Sequence, residues 1–355
     1  MSLELKQVSK RVGAEVHIYP VDLTLEPGSF NILLGTTLAG KTTLMQLMAG
    51  LERPTTGEVW FDGKNVTAVP VQKRNVSMVY QQFINYPHLT VYENIASPLK
   101  VAGVAKSEIR ARVQSFAELL RLTPMLERRP SELSGGQQQR TAMARALVKE
   151  ADLVLLDEPL ANLDFKLREE LRDELPRLFA DRNCVVVYAT TEPTEALLLG
   201  GHMATLFEGR VVEFGPTAEV YRKPDNLISA QVFSDPPINV ARIAKSGADF
   251  TLGAEARWKA DARLESLADG DYTLGVRPHH VTPGQNGAQA VAVDGQVLVT
   301  ELSGSESIIH FTMGQTTWVS QSHGIHPLEV GSTARLYVDV SQAMYFDRDG
   351  HLIAA

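Results

Sequence analysis

The chain has 355 residues and a hydrophobic content of 44%, and its 34 Lys and Arg residues are outnumbered by 42 Asp and Glu residues. This length is too great for one ordinary domain and suits two. The formal charge of −8 disfavours a general binder of nucleic acid or of anionic membranes, because both need a basic surface, although it does not exclude a local basic patch.

The cysteine count and the apolar runs indicate the compartment. Cys184 is the only cysteine, which rules out an intrachain disulfide and favours a reducing environment. The first residues alternate like a strand and lack the apolar core of a signal peptide. No apolar run approaches the roughly 18 residues that a membrane span needs. We therefore expect a cytoplasmic protein that meets a membrane only through a partner.

The first two thirds of the chain predict alternating strands and helices. Strands separated by helices indicate a parallel sheet with helices on its faces, so we expect an α/β domain here. Short strands and turns are expected over residues 1–30, buried strands over 30–34, 153–156 and 185–189, and helices over 42–49, 109–122, 137–149 and from about 193.

The pattern changes after about residue 232. The stretch SDPPINV, which begins at Ser234, contains paired prolines and is typical of a boundary. Beyond it, short alternating apolar runs are broken by Gly and Asp, which predicts a small all-β, OB-like barrel or a sandwich. We place one domain at residues 1–232, with a mostly helical subdomain at about 85–150, and a second domain at 233–355.

Residues 35–42 read GTTLAGKT and fit a phosphate-binding loop, here called the phosphate loop. Glycines let backbone N–H groups turn toward phosphate oxygens, and the helix that follows directs its positive end at the anion. Lys41 would neutralise charge on the outer phosphates, and the Thr42 hydroxyl would bind Mg²⁺. A plain Gly-rich turn is the alternative, which the position between a buried strand and a helix disfavours. The nucleotide-binding residues predicted here are Gly35, Thr36, Thr37, Leu38, Ala39, Gly40, Lys41, Thr42 and Thr43.

Two carboxylates end the buried strand in LVLLDEP, at the position where open α/β sheets keep their chemistry. Asp157 would hold Mg²⁺ through water, and Glu158 would polarise the water that attacks the γ-phosphate. The alternative, a polar strand end leading into a turn, loses weight once the phosphate loop is present in the same domain.

Four motifs together resemble the ATP-binding subunits of ABC transporters. They are the phosphate loop, the LLDEP strand end, the segment LSGGQQQR at residues 133–140, here called the signature segment, and a glutamine loop around Gln81. The run VYQQFINYPHLTVYENIASPL at 79–99 and the C-terminal GVRPHH resemble the carbohydrate-importer branch, whose C-terminal regulatory domain is of the TOBE type. Within that branch, the chain is most similar to the paired ATPases of importers for glycerol and related polyols.

The resemblance implies a head-to-tail dimer of ATPase domains that encloses two ATP molecules with Mg²⁺. Gln81 would contact Mg²⁺ and the attacking water. The loop ANLD at residues 161–164, here called the interface loop, resembles the family's crossing between the two domains. A hydroxyl and backbone amides at a helix N-terminus would bind the partner's ATP. The residues expected to do so are Ser134, Gly135, Gly136 and Gln137.

The resemblance also implies membrane partners. Two permease subunits would dock near Phe83, Tyr86 and His88, for which ordinary packing within the helical subdomain is the alternative. A periplasmic or surface solute-binding protein would act indirectly. The chain would lie peripherally on the cytoplasmic face of the inner membrane and would bind no nucleic acid.

Three positions depart from the family's pattern. Val12 stands where an aromatic residue usually stacks on adenine, and such stacking contributes about 1–3 kcal/mol in single-strand nucleic-acid sites, so we expect weaker base binding. Leu38 replaces a glycine, and leucine tolerates left-handed backbone angles poorly, so the loop is expected to be reshaped or strained. Ala161 replaces the usual serine of the interface loop.

A further departure follows the strand at 185–189, in YATTE at residues 188–192, here called the switch segment. Thr191 stands where the family has a switch histidine that bridges to the γ-phosphate. Threonine can donate one hydrogen bond but is shorter and cannot carry charge. We expect Thr191 and Glu192 still to face the γ-phosphate region, and His202 lies too far along the chain to substitute.

Two interpretations of these departures stay open. The substitutions are tolerated in a working ATPase, or this chain's own site binds ATP but turns it over slowly. The second, which we favour, predicts a heterodimer in which this chain lends its signature segment to a competent partner. The leading function is thus the energy-coupling ATPase of a bacterial carbohydrate or polyol importer. The alternatives are a non-catalytic nucleotide-binding partner subunit and a soluble ABC protein of repair or translation, which usually has long coiled coils or two cassettes.

Overall fold

The computed structural model describes residues 1–180, 182–253, 256–285, 287 and 289–355. These residues divide into two compact units, Met1–Thr217 and Ala218–Ala355. The domain boundary that the sequence places at 232/233 stays a prediction. By their contacts, the two short helices before residue 233 group with the second unit. In the described part of the chain, no helix is both long and apolar enough to span a membrane.

The first unit consists of two sheets and the helices that flank them. Its strands are β1 (Leu3–Val12), β2 (Glu15–Leu25), β3 (Phe30–Gly35), β4 (Thr56–Phe61), β5 (Lys64–Asn65), β6 (Val76–Val79), β7 (Leu153–Asp157), β8 (Val185–Thr190), β9 (His202–Phe207) and β10 (Arg210–Pro216). Its helices are α1 (Lys41–Ala49), α2 (Val91–Val101), α3 (Lys106–Leu119), α4 (Gly135–Leu147), α5 (Phe165–Ala180) and α6 (Pro193–Leu199), with 3-10 turns at Val71–Lys73, Thr123–Met125 and Pro130–Glu132.

The larger sheet of this unit has the order β10-β9-β3-β8-β7-β6. All its neighbouring strands are parallel except β10 and β9. Every residue of β3, β7 and β8 is buried, as expected for strands covered on both faces. The pairs Leu34↔Thr190 and Asp157↔Ala189 keep the carboxyl ends of these three strands level. The predicted α/β architecture is confirmed.

A smaller antiparallel sheet, in the order β2-β1-β4-β5, completes the core of the first unit. Its inward side chains share one apolar cluster with β3, β7, β8 and α1, for example Leu5, Leu33 and Leu155. The helical part follows, with α2 packed on α4. Both helices begin with capping boxes, Thr90 with Glu93 and Ser134 with Gln137, as their sequences favour.

Helix α3 ends earlier than its apolar spacing predicts. The amphipathic pattern runs to Leu122, but the helix stops at Leu119 because Arg121 adopts a left-handed φ of 53°. The amide of Leu122 then donates to the carbonyl of Ala117 at 2.6 Å, which closes the end of the helix. Leu120 and Leu122 stay buried beyond the helix, so the apolar spacing continues where the helix does not.

The second unit is almost entirely β-structure. It begins with two short helices, α7 (Thr217–Arg222) and α8 (Leu227–Val232), and the 3-10 turns Pro278–His280 and Val340–Gln342 lie among its strands. Its strands are β11 (Asn239–Ser246), β12 (Asp249–Leu252), β13 (Ala256–Lys259), β14 (Gly270–Val276), β15 (Val281–Thr282), β16 (Ala290–Leu302), β17 (Glu306–Met313), β18 (Thr316–His323), β19 (Thr333–Asp339), β20 (Met344–Phe346) and β21 (Leu352–Ala354).

These strands form two antiparallel sheets around one core. The sheet orders are β13-β12-β11-β14-β20-β21 and β15-β19-β16-β17-β18. Large buried rings, Phe250, Phe311 and Trp318, fill the space that the strands enclose. The predicted C-terminal all-β region is confirmed.

Candidate functional site

The phosphate loop connects β3 to α1 in the way that its sequence predicts. Gly40 is the N-cap of α1 and has a left-handed φ of 102°, and a Cβ there would lie only 2.8 Å from the side chain of Ile18. Glycine is therefore required at this position. The amide of Ala39 donates to the carbonyl of Thr36 at 3.1 Å, which turns the loop before the helix begins.

Lys41 lies at the centre of this loop. Its side chain is only 5% exposed, and Nζ donates to the carbonyl oxygens of Gly35 and Thr36 at 2.8 and 3.1 Å. The Glu158 carboxylate is 3.5 Å from the same nitrogen. Burial lowers the pKa of Lys41, and the neighbouring Glu158 opposes this shift. The loop thus surrounds a cation, which suits it to an anionic ligand.

Two carboxylates at the end of β7 complete the floor of the site. Asp157 is buried and accepts a hydrogen bond from Thr42 Oγ1 at 2.7 Å. Burial raises the pKa of Asp157, and the Thr42 bond opposes this. Glu158 accepts from Gln81 Nε2 at 2.9 Å. The structure therefore brings together five predicted site residues, Lys41, Thr42, Gln81, Asp157 and Glu158, from three separate stretches of sequence.

The oxygen atoms of this group fit a magnesium ion. The Thr42 hydroxyl is hydrogen-bonded to the Asp157 carboxylate. The Gln81 amide is hydrogen-bonded to Glu158, the residue that follows Asp157. Hard oxygen donors of this kind are those that Mg²⁺ prefers. Burial raises the pKa of Asp157, and the positive charge of a bound dication would oppose that rise.

A cavity of about 710 Å³ extends from the phosphate loop. Its lining includes residues of β2, where strand alternation places Glu15, His17 and Tyr19 on the same face. The Arg210 guanidinium stacks on the Tyr19 ring, 3.4 Å from the ring centre. His17 and Tyr19 were not predicted as site residues from the sequence, although the alternation of β2 points to them. The cavity is lined by Glu15, Val16, His17, Tyr19, Thr37, Leu38, Gly40, Lys41, Thr42, Thr43, Gln81, Glu158, Glu208, Gly209 and Arg210.

Two of the unusual residues differ in their relation to this cavity. Val12 is at the end of β1, is 53% exposed and is not among the described residues that line the cavity, although it pairs with Glu15, which does. Leu38 lines the cavity and is 95% exposed, with a left-handed φ of 67°. The loop therefore keeps a backbone conformation that costs energy in a leucine.

The switch segment includes the end of β8, the strand next to β7, and three of its side chains, Tyr188, Thr190 and Glu192, bond to other residues of the unit. Thr190 is buried and donates to Glu195 Oε2 at 2.7 Å, an oxygen that also accepts from the Tyr188 hydroxyl at 3.0 Å. Thr191 is exposed and is not among the described cavity-lining residues. Glu192 forms an ion pair with Arg168 at 2.9 Å and is not among the described cavity-lining residues. That Thr191 and Glu192 face the γ-phosphate region stays a prediction.

The signature segment is separate from this cavity. Ser134 caps α4, Gly135 and Gly136 begin the helix, and the Ser134 backbone amide donates to Gln137 Oε1 at 2.9 Å. In the described part of the chain, none of these four residues lines the cavity around Lys41. They form an accessible helix N-terminus that this chain's own phosphate loop does not use.

An apolar groove lies in the helical part of the unit and is here called the helical groove. It has a volume of about 370 Å³. Val101 at its edge is 90% exposed, Tyr86 is 46% exposed, and the Arg145 guanidinium lies over the Tyr86 ring at 4.6 Å. His88 is near the same ring, at 6.5 Å between centroids. The groove is lined by Ser77, Met78, Tyr86, Ser97, Pro98, Val101, Ala102, Ala142, Arg145, Ala146 and Lys149.

Comparison with known proteins gives consistent relatives. Residues 18–161 match the family model described as "ABC transporter". The chain is 34% identical to the sn-glycerol-3-phosphate import ATP-binding protein UgpC of Pectobacterium atrosepticum, over 99% of this chain and 98% of the relative. Proteins of the same name from Yersinia pestis and Burkholderia thailandensis are 35% and 37% identical to this chain. Both matches cover at least 98% of this chain and at least 97% of the relative.

Solved structures of a bacterial transporter cassette resemble the first part of the chain. The dimeric post-hydrolysis state of the ATP-binding cassette MJ0796, bound to ADP and Pi, superposes with a TM-score of 0.56 at 29% identity. The match covers 61% of this chain and 98% of that one. A second dimeric structure of the same cassette gives a TM-score of 0.57.

Proposed function

Because the chain belongs to the ABC transporter family and is an ATPase of that family, we propose that it powers the import of glycerol 3-phosphate or a related polyol or carbohydrate. The observation that carries this proposal is the convergence of Lys41, Thr42, Gln81, Asp157 and Glu158 in one cavity. The solute is inferred from the names of the full-length relatives. The geometry of the ATP site is independent of that inference.

Each group of cavity residues has its own role in ATP hydrolysis. The amides of the phosphate loop and the Lys41 ammonium hold the β- and γ-phosphates. Thr42 and Asp157, with Gln81 alongside, would hold Mg²⁺, which when bound would neutralise charge on the phosphates. Glu158 orients the attacking water and accepts its proton, and the bond with Gln81 holds the carboxylate for that step.

The nucleobase is proposed to bind against the part of the cavity that β2 lines. His17 is exposed and offers an aromatic face there, and aromatic faces stack on bases of any sequence, whereas the Arg210 guanidinium lies over the Tyr19 ring. Val12 lies on the same hairpin and would flank the base without covering it. This arrangement would replace part of the base stacking that a valine at position 12 cannot supply.

We propose that two ATPase domains act together. Ser134, Gly135, Gly136 and Gln137 form a helix N-terminus, and such an end attracts anions. Because these residues do not line the chain's own described cavity, they are available to a partner's ATP. The related MJ0796 cassette is dimeric. The partner is either a second copy or a different ATPase chain, and the second case follows if this chain's own site is slow.

The slow-site proposal depends on Thr191, and we expect Thr191→His to raise ATP turnover roughly tenfold. A histidine would supply a longer donor that can carry charge at the γ-phosphate end, which a threonine cannot. Thr194→His is the matched control, because Thr194 is also exposed and lies in the first turn of α6. The measurement is steady-state phosphate release by the purified chain.

Three outcomes of this comparison separate the two interpretations. A gain in Thr191→His alone supports a degenerate own site. Rapid turnover by the wild-type chain without any partner would contradict it and indicate tolerated substitutions. If Thr191→His changes nothing while a partner ATPase lacking its catalytic glutamate is inactive, this chain is instead a non-catalytic nucleotide-binding subunit.

The helical groove is proposed as the docking surface for the permease subunits. It is open and apolar, and Tyr86 and Val101 at its edge are exposed, as is common at sites of protein association. It also lies in the same unit as Gln81 and is connected to β6 through Ser77 and Met78. Such a contact would hold the chain peripherally at the cytoplasmic face of the membrane.

The transport function is tested by reconstitution with the permease subunits and solute-binding protein in lipid vesicles. We expect glycerol 3-phosphate uptake that requires ATP, and we expect Val101→Asp to abolish uptake while the ATP turnover of the isolated chain is kept. Val330→Asp is the control, because Val330 is 69% exposed in the second unit. Uptake that persists in Val101→Asp would contradict the docking surface, and vesicles that hydrolyse ATP without moving this solute would contradict the solute.

A further inference from the structure

One ion pair in the first unit joins two loops that leave neighbouring strands. Arg168 lies in the first turn of α5, and its Nη1 donates to Glu192 Oε1 at 2.9 Å. Its Nη2 donates to the carbonyl oxygen of Ala161 at 3.2 Å. Glu192 directly follows Thr191 in the switch segment, and Ala161 begins the interface loop. The guanidinium therefore connects the chain that follows β7 to the chain that follows β8.

The contact with Ala161 leads directly to Glu158. The Ala161 amide donates to the Glu158 carbonyl at 3.3 Å and closes a turn, while the Glu158 amide donates to the carbonyl of Ala189 in β8 at 3.0 Å. Glu158 has a φ of 45°, in the left-handed region that non-glycine residues rarely adopt. Such a conformation persists only where surrounding contacts enforce it. Arg168 supplies one of the contacts on the far side of that turn.

The stability of helix α5 does not explain why an arginine is at this position. The first turn of α5 contains Lys166 and Arg168 and no acidic residue, although the dipole of a helix favours anions at this end. The Arg168 Nε is buried and has no hydrogen-bond partner among the described residues. The Arg168 guanidinium thus lies at the helix end that disfavours cations, and its hydrogen bonds are made to the two loops.

We propose that Arg168 is a positioning residue that holds the turn of Glu158 and the switch segment at a fixed spacing. It touches none of the reacting atoms and acts through Ala161 and Glu192. The inference rests on the proposed ATPase function, since it assigns Glu158 to the attack of water. Because Lys41 and the phosphate loop have no bond to Arg168 among the described contacts, its loss lowers turnover without weakening ATP binding.

The kinetic test uses the full-length chain with Arg168→Gln, Glu192→Gln and the double variant. We expect each single change to lower kcat about fivefold, and the double change to lower it no further, because both remove the same link. The KM for ATP stays within about twofold of the wild-type value. Arg168→Lys keeps a positive charge for Glu192, but an ammonium lacks the planar guanidinium that bonds to both partners. We therefore expect its kcat to lie between those of Arg168→Gln and the wild-type chain.

The matched control is Arg177→Gln. Arg177 lies on the same helix and pairs with Glu174 at 2.7 Å, but both side chains are exposed and neither reaches a loop of the site. We expect this change to leave kcat unaltered. Additive losses in the Arg168 and Glu192 variants, or a change in KM instead of kcat, would overturn the proposed role.

A second readout does not depend on catalysis. Amide hydrogen exchange of the interface loop, residues 161–164, is followed in the wild-type chain and in Glu192→Gln without nucleotide. We expect faster exchange of the loop in the variant, although Glu192 itself makes no described bond to it. Unchanged exchange would overturn the inference. A wild-type chain that never hydrolyses ATP would contradict the proposed function instead, and the exchange result would still decide the role of Arg168.

Discussion

Replacing Glu158 by glutamine is expected to lower ATP turnover by about 10²-fold or more while ATP binding is kept. One carboxylate oxygen lies 3.5 Å from Lys41 Nζ, and the other accepts from Gln81 at 2.9 Å, so the group is fixed at the phosphate end of the cavity. Glutamine has nearly the same shape but cannot take a proton from water. Phosphate release measures turnover, and equilibrium dialysis with ATP measures binding.

Glu208→Gln is the matched control for this prediction. Glu208 lines the same cavity and, like Glu158, has a left-handed φ of 45°. We expect its turnover to stay within about twofold of the wild-type rate. Equal losses in both variants would indicate a general response to lost negative charge in the cavity. A Glu158→Gln chain with the wild-type rate would exclude Glu158 as the base.

Replacing Lys41 by alanine is expected to remove most of the affinity for ATP. Removing one partner of a buried charge pair costs roughly 2–5 kcal/mol, which is on the order of 10²-fold in Kd. The Lys41 ammonium is 5% exposed and donates to the carbonyls of Gly35 and Thr36 inside the loop, so no other described cation takes its place there. The Kd for ATP is measured by titration calorimetry.

Lys149→Ala controls for the loss of a half-buried lysine. Lys149 donates to the carbonyl of Val76 at 3.0 Å, and burial lowers its pKa as it does that of Lys41. It lines the helical groove instead of the phosphate loop, so we expect its Kd for ATP to be unaltered. A Lys41→Ala chain that binds ATP as tightly as wild type would show that the loop amides bind the phosphates without it.

The buried strands and the phosphate loop follow directly from local sequence. Continuous apolar runs predict β3, β7 and β8 to within a residue at their ends. Because parallel strands end at one edge of a sheet, the motifs after them had to meet there. The contact between Thr42 and Asp157, far apart in the chain, is the outcome of that rule.

Other features depend on side-chain contacts that no local pattern encodes. Thr190, Thr191 and Glu192 form one polar run in the sequence, yet Thr190 bonds to the buried Glu195 and Glu192 pairs with Arg168. Which way each side chain turns depends on α5 and α6, which pack against the strand end only in the folded chain. The pairing of Glu192 with Arg168 could therefore not be anticipated from the sequence.

Hydrolysis of ATP in this cavity is tested most directly by the release of γ-phosphate from ATP with Mg²⁺ in a single turnover. We expect release by the wild-type chain, slow if Thr191 limits the step, and none by Glu158→Gln in the same assay. Wild-type chain that binds ATP and releases no phosphate, even when the permease subunits and a partner ATPase with an inactivated site are added, would exclude this cavity as the site of hydrolysis.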